Sequence, residues 1–272
     1  MKKSTISLSM SSLALLLLAS PSAVAAINVM HLWTMGDSDG GVAGSPAGAT
    51  ITDMVGGTNV TRTGSPVYAG INGSIGVDFN NTGSAHNVAA TEYYSSVTGD
   101  VNPVDAARWG FEAIVRINLL PASNQELAVL ELGAGTNGIL LQTFGNGAWG
   151  IHQSNVAITN STSAVKVGER QHLAAVRSNG RWELYVDGLL AASFPSPDYD
   201  PAAGIRIGAG SAGTGDNRGF NGIIDTARVF GYTGTFDINQ TLYAVPEPTG
   251  VALMALGGLV LLRRRRLANP LL

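Results

Sequence analysis

Residues 172–190 read HLAAVRSNGRWELYVDGLL, and this stretch limits the possible folds more than any other. Asn179-Gly180 separates two runs rich in strand formers and tolerates the positive φ angles of a type I′ turn, so it closes a tight antiparallel hairpin. The turn fixes a register. With Ser178 opposite Arg181, residues Leu173, Ala175 and Arg177 share a face with Val186, Leu184 and Trp182, because directly opposed residues lie on one side of a sheet. That is the predicted core side. His172, Ala174, Val176, Glu183, Tyr185 and Asp187 make the other, mixed face. Asp187-Gly188 offers a second tight turn into residues 189–193, and three strands in a meander can hold a sheet.

Composition agrees with an all-β chain. Charged residues are 13% of the sequence while Gly numbers 35, and Gly, Ser, Thr and Asn crowd between short apolar runs, as in sandwiches built of many turns. No coiled coil or helical repeat is present. Cys is absent, which excludes a disulfide scaffold and a Cys-bearing zinc site while leaving export to an oxidising compartment open.

The amino terminus predicts export. Lys2 and Lys3 precede an apolar run centred on residues 13–19, Pro21 ends it, and Ala23-Val24-Ala25 places small residues at the two positions a signal peptidase reads. The leucine-rich core is shorter than the roughly 20 apolar residues that cross a bilayer. Cleavage after Ala25 is expected.

In the mature part, residues 27–33 are the first strand. MGDSDGG follows, where Asp37 and Asp39 on a Gly-rich loop offer hard oxygens to calcium but lack the further positions of an EF-hand loop; the other reading is a turn built by Asp bonding its own backbone. Ile75, Val77 and Phe79 alternate with Gly76 and Asp78, the period of a half-buried strand. Residues 93–107 are polar and predict a long surface loop. Residues 109–119 predict the longest strand, with Phe111, Ala113, Val115 and Ile117 on one side and Glu112 and Arg116 on the other. Residues 126–132 and 138–144 continue the pattern, Asn146-Gly147 marks another tight hairpin into 148–153, and 204–208 and 220–230 supply the closing strands.

The order WGFEAIVR, HLAAVRSNGRWELYVDG, IRIGAG, FNGIIDTARVF is similar to laminin-G-like, concanavalin A-like jelly rolls. The resemblance covers most of residues 27 to about 230 and implies an antiparallel β-sandwich. Where such domains often carry a Trp before the HLA segment, this chain has Arg170, leaving Trp182 or Trp149 to fill the space. In jelly rolls of this type the closing strand commonly runs beside the first, which would bring Asp225 and the Asp37 and Asp39 loop to one edge as candidate calcium ligands.

Catalytic chemistry is hard to find, and the expectation is that the chain is not an enzyme. Relatives of this fold that cut polysaccharides need an acid and a base or nucleophile in one cleft. The nearest candidates, Glu126 and Glu131, are offset by an odd number and so point to opposite faces of a regular strand. His31, His86, His152 and His172 lie on separate segments with no short metal-binding spacing. There is no nucleophile elbow or phosphate-binding Gly loop. Removing Lys2, Lys3 and the four Arg at 263–266 from the 16 basic residues leaves 10 against 19 acids, a formal net of −9. Such a surface repels nucleic acid and keeps an exported protein soluble. Tyr93, Tyr94, Trp149 and Tyr199 on loops or near turns are candidates for stacking on sugar rings or for plugging cavities.

The carboxyl terminus carries Pro246-Glu247-Pro248, an apolar run over 249–262, then Arg263, Arg264, Arg265 and Arg266. Two prolines around one acid give a stiff extended peptide, 14 helical residues span about 21 Å, and the Arg cluster holds the end on the cytoplasmic side. An ordinary membrane helix would account for the run and the Arg cluster but not for the prolines. Residues 244–272 resemble the PEP-CTERM sorting signal, which implies recognition and cleavage by an exosortase in bacteria that make extracellular polysaccharide.

The expected protein has a signal peptide (1–25), one laminin-G-like jelly roll (26–243) and a sorting tail (244–272). It is exported, anchored temporarily in the inner membrane, and then left at the cell surface or secreted. Its expected partners are signal peptidase, exosortase and extracellular polysaccharide, with a structural or adhesive role. A lectin-like carbohydrate-binding module is the alternative, with a polysaccharide-cleaving enzyme behind it.

Overall fold

In the computed structural model, the hairpin predicted at Asn179-Gly180 forms with the register its turn dictates. Asn179 and Gly180 have φ of 49° and 74°, Ser178 pairs with Arg181, and Leu173, Ala175 and Arg177 pair with Val186, Leu184 and Trp182. Asp187 and Gly188 repeat the device with φ of 49° and 77°. The structure describes residues 26–82, 89–96, 107–123, 125–133, 138–153, 156–196, 201, 204–210 and 218–244. The signal-peptide residues Ala23 and Ala25, the sorting residues Pro246, Glu247, Pro248 and Arg263 to Arg266, and also His86 and Tyr199, lie outside these residues.

Sixteen strands run in order among the described residues: β1 (Ile27–Thr34), β2 (Thr50–Ile51), β3 (Val60–Thr63), β4 (Val67–Ile71), β5 (Ser74–Asn80), β6 (Tyr93–Ser96), β7 (Trp109–Ile117), β8 (Glu126–Leu132), β9 (Ile139–Phe144), β10 (Ala148–Gln153), β11 (Val156–Ala164), β12 (Arg170–Ser178), β13 (Arg181–Val186), β14 (Leu189–Pro195), β15 (Ile205–Ile207) and β16 (Asn221–Tyr232). They form two antiparallel sheets. The first has the order β14-β13-β12-β7-β16-β5-β4, with β1 also on β16; the second has the order β11-β10-β9-β8-β15-β6-β3-β2. This is an all-β antiparallel sandwich consistent with a jelly roll. Short 3₁₀ turns at Ile238–Gln240 and Leu242–Ala244 follow the last strand.

The core lies between the sheets. Phe111, Ala113, Val115, Leu173, Ala175, Trp182 and Leu184 of the first sheet are buried with Tyr94, Leu127, Leu132, Leu141, Trp149, Ile151, Ile205 and Ile207 of the second. Trp182 stands edge-on to Trp109 and Phe111, and its indole N–H donates to Gln153 Oε1 at 3.1 Å. Trp149 donates likewise to Gln171 Oε1 at 3.1 Å, next to Arg170. The two tryptophans nominated to fill that region are thus both core.

Several sequence expectations are corrected. The surface loop predicted at 93–107 begins with a strand, β6, because Tyr94 points into the core and its hydroxyl donates to Gly48 O at 2.6 Å. The longest strand is β16 rather than β7, since it pairs with β5 through Asn221–Ile224 and with β1 through Thr226–Tyr232. The turn at Asn146-Gly147 is tight, but only Gly147 has positive φ, 75°. Gly147 N–H donates to Phe144 O at 2.8 Å, so the loop is a three-residue turn closed by a left-handed Gly rather than a type I′ pair. The mixed face of the organising hairpin is also covered: Ala174 and Val176 form a second apolar cluster with Phe230 and Tyr232 beneath Phe236.

Candidate functional site

Glu126 and Glu131 would diverge on a regular strand, but β8 is not regular. Ala128 pairs with Gln142 and Leu130 with Leu141, which leaves Val129 as an extra bulged residue. Bulges of this kind reverse the parity of every later position. Glu126, opposite Phe144, and Glu131, opposite Leu140, therefore share the outer face of the second sheet with Gln142 and with His152 of β10. Their partners on β9 are four residues apart, which separates the two acids by about 13 Å along the strand. That exceeds the roughly 6.5–9.5 Å over which two carboxylates act on one glycosidic bond with inversion.

Gly210 and Arg218 cover part of the same face. Arg218 N–H donates to Gly210 O and Ala128 N–H donates to Arg218 O, both at 2.9 Å. A Cβ on Gly210 would fall 2.3 Å from Leu140, so glycine permits this close approach. Arg218 Nε meets Glu126 Oε2 at 2.6 Å as an ion pair rather than an aligned hydrogen bond. Burial holds the His152 imidazole below its ordinary pKa; the positive charge of Arg218 adds to this and Glu126 opposes it. Gln142 is fully buried, and neither of its amide atoms has a hydrogen-bond partner among the described residues.

An open site lies elsewhere, where β5 ends beside the approach to β6. A cleft of about 410 Å³ is lined by Ser65, Pro66, Val67, Asp78, Asn80, Glu92 and Asn118, a volume within the range of ligand pockets. Alternation in β5 sends Val77 and Phe79 inward and leaves Asp78 and Asn80 outside. Asn118 Nδ2 donates to Asp78 Oδ1 at 2.9 Å, and Asn80 N–H donates to Glu92 Oε2 at 2.7 Å. Burial pushes the Asp78 carboxyl up; the Asn118 bond and the charge of Arg116 oppose this, and the charge of Glu92 adds to it. Carboxylates, amides and a hydroxyl beside Pro66 and Val67 suit a ligand with several hydroxyl groups and one apolar face.

The candidate calcium residues are brought together in part. In β16, Ile224 pairs with Val115 and Thr226 with Ile114, so Asp225 is the extra residue of a second bulge. It lies where β16 passes from β5 to β1. The Ser74 hydroxyl bridges Asp37 Oδ2 at 2.5 Å and Asp225 Oδ1 at 2.8 Å, and Asp37 Oδ1 accepts from Ile75 N–H at 2.8 Å. Asp39 is outside this bridge. Its carboxyl is pushed up by burial against a bond from Ser38. The described residues contain no group of three or more His, Cys, Asp or Glu able to hold a metal ion. Of the aromatics considered for sugar stacking, Tyr94 and Trp149 are core, while Tyr93 remains on the outer face of the second sheet, next to the Arg206 guanidinium.

One buried network was not foreseen. Glu112, with no exposed surface, accepts from Arg228 Nε at 2.5 Å and Leu242 N–H at 3.0 Å, and shares a 2.7 Å hydrogen bond with His172 Nε2. It ties the segment after β16 to the outer face of the first sheet. The sequence signal was a charge on an otherwise apolar strand, on the side of β7 opposite Phe111, Ala113, Val115 and Ile117.

The profile of the concanavalin A-like lectin/glucanases superfamily matches residues 90–235. No curated protein matches the chain in sequence. Among solved structures it is similar to a Trypanosoma rangeli sialidase mutant displaying trans-sialidase activity, with a TM-score of 0.55 and 14% identity over 79% of this chain and 32% of that one. It is similar also to domain 4 of AbnA, a GH43 extracellular arabinanase from Geobacillus stearothermophilus in complex with arabinotriose, with a TM-score of 0.55 and 14% identity over 79% of this chain and 96% of the domain. The chain spans about a third of the sialidase's length. These likenesses overturn the expectation that the chain is not an enzyme, because the fold occurs in a sialidase and in a domain of an arabinanase. The bulge at Val129 removes the parity argument on which that expectation leaned. What is shared at this identity is the fold. With the profile matched over more than half of its length and an antiparallel sandwich beneath it, the chain belongs to the concanavalin A-like lectin/glucanases superfamily.

Proposed function

We propose that this is an exported saccharide-binding protein of the cell envelope or extracellular matrix, sorted by its carboxyl-terminal tail. The observation that carries saccharide binding is the open cleft of Asp78, Glu92, Asn80 and Asn118 against Pro66 and Val67. The superfamily and the arabinotriose bound by the similar arabinanase domain support it. A glycan-binding screen of the mature protein tests it. Asp78→Asn and Glu92→Gln should each weaken binding at least about tenfold, a loss of about 1.4 kcal/mol, with the melting temperature retained. Binding that both variants leave untouched would remove the cleft from the reading.

The signal at Lys2, Lys3 and Ala23-Val24-Ala25 and the tail of Pro246-Glu247-Pro248, apolar run and Arg263 to Arg266 support export followed by exosortase cleavage. Altering Glu247 should leave export intact and block the second cut. Intact mass of the protein from native cells decides: a mature species that keeps the apolar run and the four Arg would mean a plain anchor.

Calcium at the Asp37 and Asp225 edge is a further part of the reading. Both carboxylates lie within hydrogen-bond distance of one hydroxyl, and two calcium ligands at about 2.4 Å can stand up to about 5 Å apart. Calcium at a hundredfold excess over its Kd should stabilise the fold by about 2.7 kcal/mol. A melt unchanged between calcium and chelator would end this part.

A further inference from the structure

We infer that the end of the sandwich bearing Leu119, Leu120, Val167, Leu189, Leu190 and Tyr243 rests on the lipid bilayer while the chain is tethered by its tail. The inference rests on the tail reading above. Of the ten large apolar side chains exposed among the described residues, these are six, and Leu189 is 73% exposed. They gather because β7 ends at Ile117, β12 begins at Arg170, β13 ends at Val186 and β14 begins at Leu189, which puts the intervening turns at one end. The turns that carry them are linked: Gly168 N–H donates to Ile117 O at 2.9 Å, Lys166 Nζ lies 3.6 Å from Asp187, and Gly147, which Leu120 approaches, accepts from Val165 N–H at 2.8 Å. Such a patch marks an interaction surface.

The chain leaves the domain at this same end. Leu242 N–H is held by Glu112, and the Tyr243 ring lies so close to Gly188 that a Cβ there would be 2.6 Å from it. Five residues, 244–248, then separate the docked Tyr243 from the apolar run at Thr249. The six Cα steps from Tyr243 to Thr249 reach at most about 22 Å, and two of the intervening residues are Pro, whose φ is fixed. A bilayer holding the run is therefore within that reach of the patch. Asp187 and Glu169 at its border have Lys166 between them at 3.6 and 3.9 Å, so the acids there have a cationic neighbour. Leucine and tyrosine side chains suit the boundary between headgroups and acyl chains.

The absence of cysteine permits a direct test. Leu189→Cys and, as control, Val55→Cys are each labelled with an environment-sensitive fluorophore on the full chain and reconstituted into phosphatidylcholine vesicles containing nitroxide-labelled lipid. Val55 is 54% exposed, and the neighbouring Gly56 packs on His31. His31 pairs through Val229 to the level of Phe111, about 20 Å along β7 from Ile117. Both proteins should float with the vesicles, and nitroxide should quench the probe at 189 at least about threefold more than the probe at 55. Flotation with equal quenching at both sites would overturn the surface and leave the tail reading standing. A blue-shifted 189 probe that nitroxide lipid cannot quench would mean that another protein segment covers the patch, and would also overturn it. Failure to float would overturn the tail reading, and this inference with it.

Discussion

Glu112→Gln should be among the most damaging single-atom changes in this protein. The carboxylate has no exposed surface and accepts from Arg228, Leu242 N–H and the His172 ring in one cluster. The amide keeps one acceptor oxygen but turns an –NH₂ group toward donors and leaves the Arg228 guanidinium, itself nearly buried, without its counter-charge. Breaking a buried pair from one side costs about 3–5 kcal/mol. In a domain of this size each kcal/mol moves the melting temperature by about 2–4 °C, so a fall on the order of 10 °C is expected. His172→Gln removes one hydrogen bond and leaves the charge pair, so it should cost only about 1–3 kcal/mol. Urea unfolding measures both, and limited proteolysis should show earlier cutting after β16 in Glu112→Gln. A Glu112→Gln melt within about 2 °C of the parent would refute the reasoning, because the segment after β16 would then be held without the Glu112 carboxylate, by Phe236 and Tyr243 packing and the Gln240 hydrogen bonds.

Asn179→Val places a β-branched residue at φ 49° and should cost roughly 1–3 kcal/mol; an unchanged chemical-denaturation midpoint would contradict the turn's role. Trp182→Ala empties a fully buried site beside Trp109 and Phe111 and should cost about 3–5 kcal/mol, read by the same measurement. His152 has a pKa held below its ordinary 6.5 by burial, so the unfolded chain takes up its proton first and stability should fall as pH drops through about 6.5. Urea midpoints at pH 7.5 and 5.5 should differ less in His152→Gln than in the parent; an equal difference would assign the pH dependence to other groups.

The hairpin at Asn179 was legible because its information is local: two residues that accept positive φ set the register of both strands. Strand β6 was not, because YYSS looks like loop composition and its strand character comes from pairing with β3 and β15, two segments distant in sequence, which buries Tyr94. The cleft was hidden for a related reason. Asp78, Glu92 and Asn118 come from three separate segments, and each alone resembles an ordinary polar residue beside a turn. Glu112 was placed correctly on the outer side of β7, but the cover supplied by Phe236, Leu242 and Tyr243 depends on a segment whose docking no periodicity announces.

The bulges matter most, since they changed conclusions rather than boundaries. Reading faces by counting is sound only while every residue advances the pleat by one step. In β8 the extra residue is Val129, a strong strand former that gives no sign of irregularity in the sequence, and Gly208 N–H closes on its carbonyl at 2.9 Å. The bulge moves Glu131 onto the face of Glu126, Gln142 and His152, where Gly210 packs against Leu140 and Arg218 pairs with Glu126. In β16 the extra residue is Asp225, and the bulge falls where one long strand changes partner from β5 to β1. There its carbonyl accepts from Met35 N–H at 2.7 Å while its carboxylate meets Ser74. In both places a backbone irregularity, invisible to composition and period, decides which neighbours an acid meets. The sandwich and the Asp78 and Asn80 wall of the cleft therefore follow from turn chemistry and alternation, whereas the surroundings of Glu131 and Asp225 follow from where alternation breaks.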